Sequence, residues 1–183
     1  MGDTQGGPRR AEASVDALFA EALRAGEDVA RIREVLDRAR PDPTAMFGLL
    51  RRPLPVRFLE FVAATPPWSD DTRILGGVAR NPRAPRALAL KLLPSLFWND
   101  LAAVAGSPWV QGGVRACAEG LLGDMLPDMR LGERVTLGKV ATPPVLSRLL
   151  MDPEAQVVDA ALQNPRLREE DLGKKIDLSK ANH

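Results

Sequence analysis

Few residues in this chain could perform covalent chemistry. The 183-residue sequence contains one cysteine, Cys117, and one histidine, His183, at its last position. A cysteine nucleophile needs an activating base, and the sequence has no internal histidine to supply one. Cys117 lies between two alanines, with Val114 and Leu121 at helical spacing. We therefore expect Cys117 to be a small buried hydrophobic residue. One cysteine and one histidine also argue against a disulfide framework, a multi-cysteine metal site and a histidine-dependent metal site. We expect no bound cofactor.

Two acidic clusters could in principle serve as paired carboxylates for acid–base catalysis, Asp70-Asp71 and Glu169-Glu170-Asp171. Both precede or open predicted helices, where a carboxylate accepts hydrogen bonds from free N–H groups and interacts favourably with the helix dipole. We interpret both clusters as helix caps. Gly76-Gly77 and Gly112-Gly113 lack the surrounding residues of a phosphate-binding loop. The sequence therefore predicts a protein that is not an enzyme.

Composition disfavours binding to nucleic acids and membranes. The chain has 25 basic and 24 acidic residues, so it lacks the basic excess that displaces counterions from a polyanion. Residues 41–98 are an exception, with eight basic and four acidic side chains. No apolar stretch approaches the roughly 20 residues that cross a bilayer, and the first ten residues lack the apolar region of a secretory signal. We expect a cytoplasmic protein whose residues 1–10 are disordered.

One pattern recurs along the chain, Leu-x-x-Val-Ala-x-x-Pro. Its copies start at Leu59, Leu75, Leu101, Leu137 and, in degenerate form, Val158. Leucine and valine three residues apart form an apolar stripe on a helix, and the proline ends that helix because it supplies no N–H and pushes the preceding residue out of the α region. Asn81 and Asn164 lie at these breaks, where an asparagine side chain can bond the local backbone. The pattern predicts short helices separated by proline turns.

Second apolar stretches follow several of the breaks, at 85–93, 110–122 and 144–150. Alternating β-branched runs are few, and Asn-Gly and Asp-Gly hairpin signals are absent from the sequence. We therefore predict an all-α fold, an irregular α-solenoid of short stacked helices.

The N-terminal part predicts a helical hairpin. Val15, Leu18, Phe19, Ala22 and Leu23 form an amphipathic stripe. Ser14 is positioned as its cap and Gly26 as its end. A second stripe runs from 29 to 39, and a short helix is expected over 44–50. We interpret residues 11–52 as a cap on the repeats, because terminal repeats are atypical; a detachable docking helix is the alternative.

Two segments carry a family resemblance. The first is residues 146–165, which include Asp152-Pro153 and Asn164-Pro165. The second is residues 78–85, which read Val-Ala-Arg-Asn-Pro-Arg-Ala-Pro. Both resemble the leucine-rich repeat variant, a relative of HEAT-type α-solenoids. The resemblance covers roughly residues 55–175. It implies a curved rod of short helices, commonly an interaction surface. Some members carry a cysteine-ligated iron–sulfur cluster, and this chain lacks those cysteines. On the basis of this resemblance, we divide the part of the chain that follows the cap into repeats over 53–176 and a tail over 177–183.

Tryptophan and arginine residues mark the predicted binding surface. Trp68, Trp98 and Trp109 lie near helix junctions, where a tryptophan usually wedges between helices. Alternatively, they are exposed anchors, because tryptophan and arginine are frequent in binding hot spots. The candidate partner-binding residues are Arg73, Arg80, Arg83, Arg86, Trp68 and Trp98.

These observations predict a helical-repeat adaptor that binds a partner protein. Two alternatives stay open. One is a nucleic-acid-binding protein of the HEAT-like DNA glycosylase type, supported by the basic middle segment. The other is a regulatory subunit that binds a small ligand between its helices.

Overall fold

The computed structural model describes residues 14–168, which form eleven α-helices and no β-strand. The all-α prediction is confirmed for this part of the chain. The predicted disorder at 1–10, the acidic cluster at 169–171 and the tail at 177–183 lie outside the described residues. The helices are α1 (Val15–Ala25), α2 (Val29–Ala39), α3 (Pro43–Leu50), α4 (Val56–Ala64), α5 (Thr72–Ala79), α6 (Arg86–Leu92), α7 (Trp98–Ala105), α8 (Gly112–Met125), α9 (Leu131–Val140), α10 (Pro143–Leu149) and α11 (Ala155–Leu162).

The helix ends follow local sequence signals. The Ser14 hydroxyl accepts a hydrogen bond from the Ala17 N–H at 3.2 Å, and Gly26 ends α1 with a positive φ of 56°. Asp71 caps α5 by accepting from the Arg73 N–H at 2.9 Å, as the interpretation of the Asp70-Asp71 cluster predicts. None of the helices within residues 14–168 is long and apolar enough to cross a membrane.

Helices contact their neighbours and next neighbours along the chain. The odd-numbered helices contact one another in sequence, from α1 through α3, α5, α7 and α9 to α11. Among the even-numbered helices, α2 contacts α4, and α8 contacts both α6 and α10. Further contacts join the two sets, including α4 with α5, α7 with α8 and α10 with α11. A hydrophobic core runs through these contacts from Leu18 to Ala161.

The repeated pattern is buried as predicted in its first three copies, whose leucine and valine residues all lie in the core. The last two copies differ. In the fourth copy Leu137 is buried as predicted, but Val140 is 49% exposed and the neighbouring Ala141 is buried. In the degenerate copy, Ala161 is buried, Val158 is half-buried and Leu162 is exposed; Val157, just before the copy, is buried. Neighbouring helices cover the i, i+4 face of α9 and α11. The sequence of a single helix does not show which of its faces its neighbours cover.

The prediction that Cys117 is buried is wrong. Its side chain is exposed, and α8 buries Val114, Ala118 and Leu122. These positions follow an i, i+4, i+8 spacing, and Cys117 lies outside that stripe. Leu121, which the sequence also places on the buried face, is half-buried.

Asn81 and Asn164 join pairs of odd-numbered helices in the same way. The Asn81 amide donates to the carbonyls of Leu50 at 2.8 Å and Arg52 at 2.7 Å, at the end of α3. The Asn164 amide donates to the carbonyls of Gly138 at 2.8 Å and Ala141 at 3.2 Å, at the end of α9. Each Oδ1 also accepts an N–H from the residue two positions later. The predicted local bond is therefore confirmed, and each side chain also fastens the preceding odd-numbered helix.

A buried ion pair fastens α9 to the turn after α10. Arg134 Nε lies 2.8 Å from Asp152 Oδ2, and the two side chains are 16% and 8% exposed. Arg134 Nη1 also donates to the Met129 carbonyl at 2.7 Å, and Asp152 Oδ1 accepts the Glu154 N–H at 3.0 Å.

Candidate partner-binding groove

The six residues predicted from the sequence to bind a partner lie in different surroundings. Trp98 lines a groove between α7 and α9, and Trp68 lines a separate cavity beside α2 and α4. Arg73 and Arg80 lie near a buried carboxylate between α5 and α7. Arg83 is exposed in the turn after α5, and the Arg86 guanidinium lies over Gly113 of α8.

The three tryptophans also differ in their surroundings. Trp68 and Trp98 are half-buried and pack against the core, as the wedge interpretation predicts. Trp109 is 72% exposed, so that interpretation is wrong for this residue. It lies in the turn between α7 and α8, where helical spacing gives no guide to burial.

Arg73 is held by its own chain. Its guanidinium lies 3.1 Å from Asp71 Oδ2 and 5.5 Å from the centre of the Phe47 ring. The hydrogen bond from the Arg73 side chain lowers the pKa of Asp71. Arg73 therefore orders the start of α5 against α3, with its side chain still exposed.

Asp100 is a buried polar residue that the sequence analysis missed. Its side chain is 7% exposed, and its Oδ2 atom has no hydrogen-bond partner within residues 14–168. It packs on Gly76, where an added Cβ would lie 3.1 Å from the Asp100 carboxyl. Burial raises the pKa of Asp100, and the Arg80 guanidinium opposes this shift. Asp100 lies four residues before Val104, so helical spacing could have placed it on the buried face.

Replacement of Asp100 by asparagine is expected to stabilise the fold in a pH-dependent way. The unfolded carboxyl ionises near its ordinary pKa of 3.8, and the folded one ionises at higher pH. The wild-type free energy of unfolding therefore falls as pH rises from 3.8 through the folded pKa, and is level above it. Asp100→Asn should raise the free energy of unfolding above that of the wild type at pH 7 and change it little at pH 3.5. Urea unfolding at both pH values measures this difference, and an equal effect at both would refute the explanation.

The groove between α7 and α9 has a volume of about 380 Å³. One wall is a single face of α7, and the other is formed by Thr136 and Val140 of α9. The residues of the first wall follow helical spacing: Trp98, Asn99, Ala102 and Ala103 of α7, and Gly106, which caps its end. Small side chains in the middle of this face leave the groove open, and its lining is largely apolar.

Arg166 closes one end of the groove. Its Nη1 atom donates to the Val140 carbonyl at 2.9 Å, and a Cβ added at Gly106 would lie 2.9 Å from the same atom. The absence of a side chain at position 106 therefore lets the guanidinium bridge the ends of α7 and α9. Trp98 lies eight residues before Gly106, about 12 Å away along the helix. The groove thus has an aromatic end and a cationic end.

This arrangement suits a ligand that is apolar along most of its length and acidic at one end. Apolar walls gain energy by removing apolar surface from water, and a guanidinium forms strong charge-assisted hydrogen bonds with a carboxylate. Grooves between helices commonly receive the apolar face of an amphipathic helix. Of the residues predicted from the sequence, Trp98 lines this groove; Thr136, Val140 and Arg166 were not predicted.

The groove is assigned from its own geometry. Comparisons of the chain with protein-family models, with curated proteins and with solved structures gave no match.

Proposed function

We propose that this protein is a non-catalytic helical-repeat adaptor that binds a partner protein through the groove between α7 and α9. Sequential contact between the odd-numbered helices supports an α-solenoid, because each unit of such a fold packs on its neighbours. The matching roles of Asn81 and Asn164 support a repeat of the leucine-rich repeat variant type.

The observation that carries this proposal is the groove itself, with Trp98 at one end and Arg166 at the other. Its partner is an amphipathic helix that buries a bulky apolar side chain beside Trp98. An acidic residue about two turns along that helix would meet Arg166, because two turns span about 11 Å. The partner then combines hydrophobic burial with a charge-assisted hydrogen bond that fixes its direction.

Filling the groove should abolish partner binding without unfolding the protein. Thr136 is exposed on the α9 wall, and its hydroxyl bonds the carbonyl four residues earlier at 2.8 Å. Thr136→Arg places a long side chain in the groove. Ser147→Arg is the matched control, because Ser147 is also exposed, bonds the carbonyl four residues earlier at 3.0 Å and lies outside the groove.

The measurement is affinity capture from native lysate with quantitative mass spectrometry. A partner retained by the wild type and by Ser147→Arg should fall at least about tenfold with Thr136→Arg, the size of a moderate hot-spot effect. Equal melting temperatures of the two variants establish that the loss is local. Retention of every captured protein by Thr136→Arg would eliminate this groove as the binding surface.

A further inference from the structure

A second cavity, of about 360 Å³, lies between α2 and α4 and shares no residue with the groove. Its volume falls within the range of about 300–1,000 Å³ that is usual for small-molecule sites. Phe61 of α4 and Trp68 supply aromatic surface, and Leu36 and Pro67 supply aliphatic surface. The cavity is therefore an aromatic-lined space of the right size for one planar ring system.

Two arginines also line this cavity, Arg33 from α2 and Arg40 at the end of the same helix. The Arg33 guanidinium lies 5.5 Å from the centre of the Phe61 ring, and Arg40 Nε donates to the Asp37 carbonyl at 3.3 Å. Neither arginine forms an ion pair within residues 14–168. Asp37 is the one acidic residue among those that line the cavity, so the lining retains one excess positive charge.

The backbone of Arg40 is strained. Its φ is 41° and its ψ is 57°, the left-handed conformation that glycine adopts without steric cost. A residue with a side chain is disfavoured there because its Cβ approaches a carbonyl oxygen. Strained residues of this kind concentrate at ligand-binding positions. A glycine would end α2 more easily, yet the chain places a guanidinium at the cavity.

We propose that this cavity binds a small planar aromatic anion. The ring packs against Trp68 and Phe61, and the carboxylate or phosphate group accepts hydrogen bonds from Arg33 and Arg40. Apolar and aromatic walls with a few charged groups among them are the usual composition of a small-ligand site. The two guanidiniums supply planar donor sets suited to either anionic group.

The test follows the indole N–H signals of the three tryptophans in ¹⁵N-labelled full-length protein during titration with four probes. The probes are 1-naphthoate, 1-naphthyl phosphate, neutral 1-naphthalenemethanol and inorganic phosphate. Naphthoate or naphthyl phosphate should shift the Trp68 signal saturably and leave the exposed Trp109 signal in place. Because the two share one ring system, the stronger of them identifies the preferred anionic group. Naphthalenemethanol and inorganic phosphate should each bind at least about tenfold more weakly, because each lacks one half of the recognition.

Arg40→Gly separates binding from stability. It removes one guanidinium and also relieves the left-handed strain, so affinity should fall at least about tenfold while the melting temperature holds or rises. Arg31→Gln is the matched control, because Arg31 is exposed on the same helix, pairs with Asp28 and does not line the cavity. The proposal is overturned if no aromatic anion shifts Trp68 at millimolar concentration, if naphthalenemethanol binds as tightly as the anions, or if Arg40→Gly binds like the wild type.

Discussion

Replacement of Asp152 by alanine is expected to lower the free energy of unfolding by about 3–5 kcal/mol, the usual result of removing one member of a buried ion pair. The substitution leaves the Arg134 guanidinium, which is 16% exposed, without its carboxylate. It also removes the acceptor of the Glu154 N–H. Urea unfolding followed by circular dichroism at 222 nm measures the loss.

Two further variants distinguish the charge from the packing. Asp152→Asn keeps Oδ1 as an acceptor for the Glu154 N–H and removes only the charge. Its loss of free energy of unfolding should therefore be at least half the loss caused by Asp152→Ala. The double variant Arg134→Met, Asp152→Leu should cost less than either single change, because no buried charge is left unpaired. Single variants within about 0.5 kcal/mol of the wild type, the usual range for surface changes, would contradict the structural role of this pair.

The second large effect is expected at the two asparagines that fasten odd-numbered helices. Asn81→Ala and Asn164→Ala each remove three hydrogen bonds, two of which join the side chain to the preceding odd-numbered helix. Each should lower the free energy of unfolding by about 2–4 kcal/mol. The two losses should be similar, because each side chain bonds two carbonyls near the end of the preceding odd-numbered helix, α3 or α9.

Asn81→Asp sharpens this prediction. The carboxylate keeps an acceptor for the Arg83 N–H but turns a second oxygen toward two carbonyls, which repel it. Asn81→Asp should therefore lower the free energy of unfolding at pH 7 by more than Asn81→Ala does. Asn99→Ala, at an exposed position of α7, is the control and should stay within about 0.5 kcal/mol of the wild type. If Asn81→Ala were severe and Asn164→Ala neutral, the two sites would not be copies of one structural unit.

Most of the local structure could be predicted from the sequence because its causes are local. Ser14 and Gly26 delimit α1 through bonds and angles within a few residues. Prolines end helices for covalent reasons that no tertiary contact alters. The leucine and valine spacing likewise predicted burial correctly in the copies that start at Leu59, Leu75 and Leu101. In these copies, neighbouring helices cover the i, i+3 face.

The errors concern features that depend on distant parts of the chain. Cys117 and Val140 are exposed because neighbouring helices cover other faces of α8 and α9. Asp100 is buried because Gly76, twenty-four residues earlier, leaves room for its carboxyl. In a sequence read one helix at a time, only Asp100 carries a signal, its spacing of four residues from the buried Val104.

Of the two residues at the ends of the groove, Trp98 could be predicted from the sequence and Arg166 could not. Trp98 stood out by its residue type, which is frequent in binding hot spots. Arg166 could not be assigned, because its role comes from Gly106 and Val140, which lie sixty and twenty-six residues earlier. The repeated Asn-Pro-Arg sequence at 81–83 and 164–166 was the one available signal, and it indicated a turn rather than a binding residue.

The most direct test of the proposed function is a selection of displayed amphipathic helical peptides against the full-length protein. Peptides that bind the wild type should combine a bulky apolar residue with an acidic residue seven or eight positions away, the spacing that matches Trp98 and Arg166. Their affinity should fall at least about tenfold with Thr136→Arg and stay unchanged with Ser147→Arg. Peptides that bind Thr136→Arg as tightly as the wild type, or that show no preference for an acidic residue, would contradict the account.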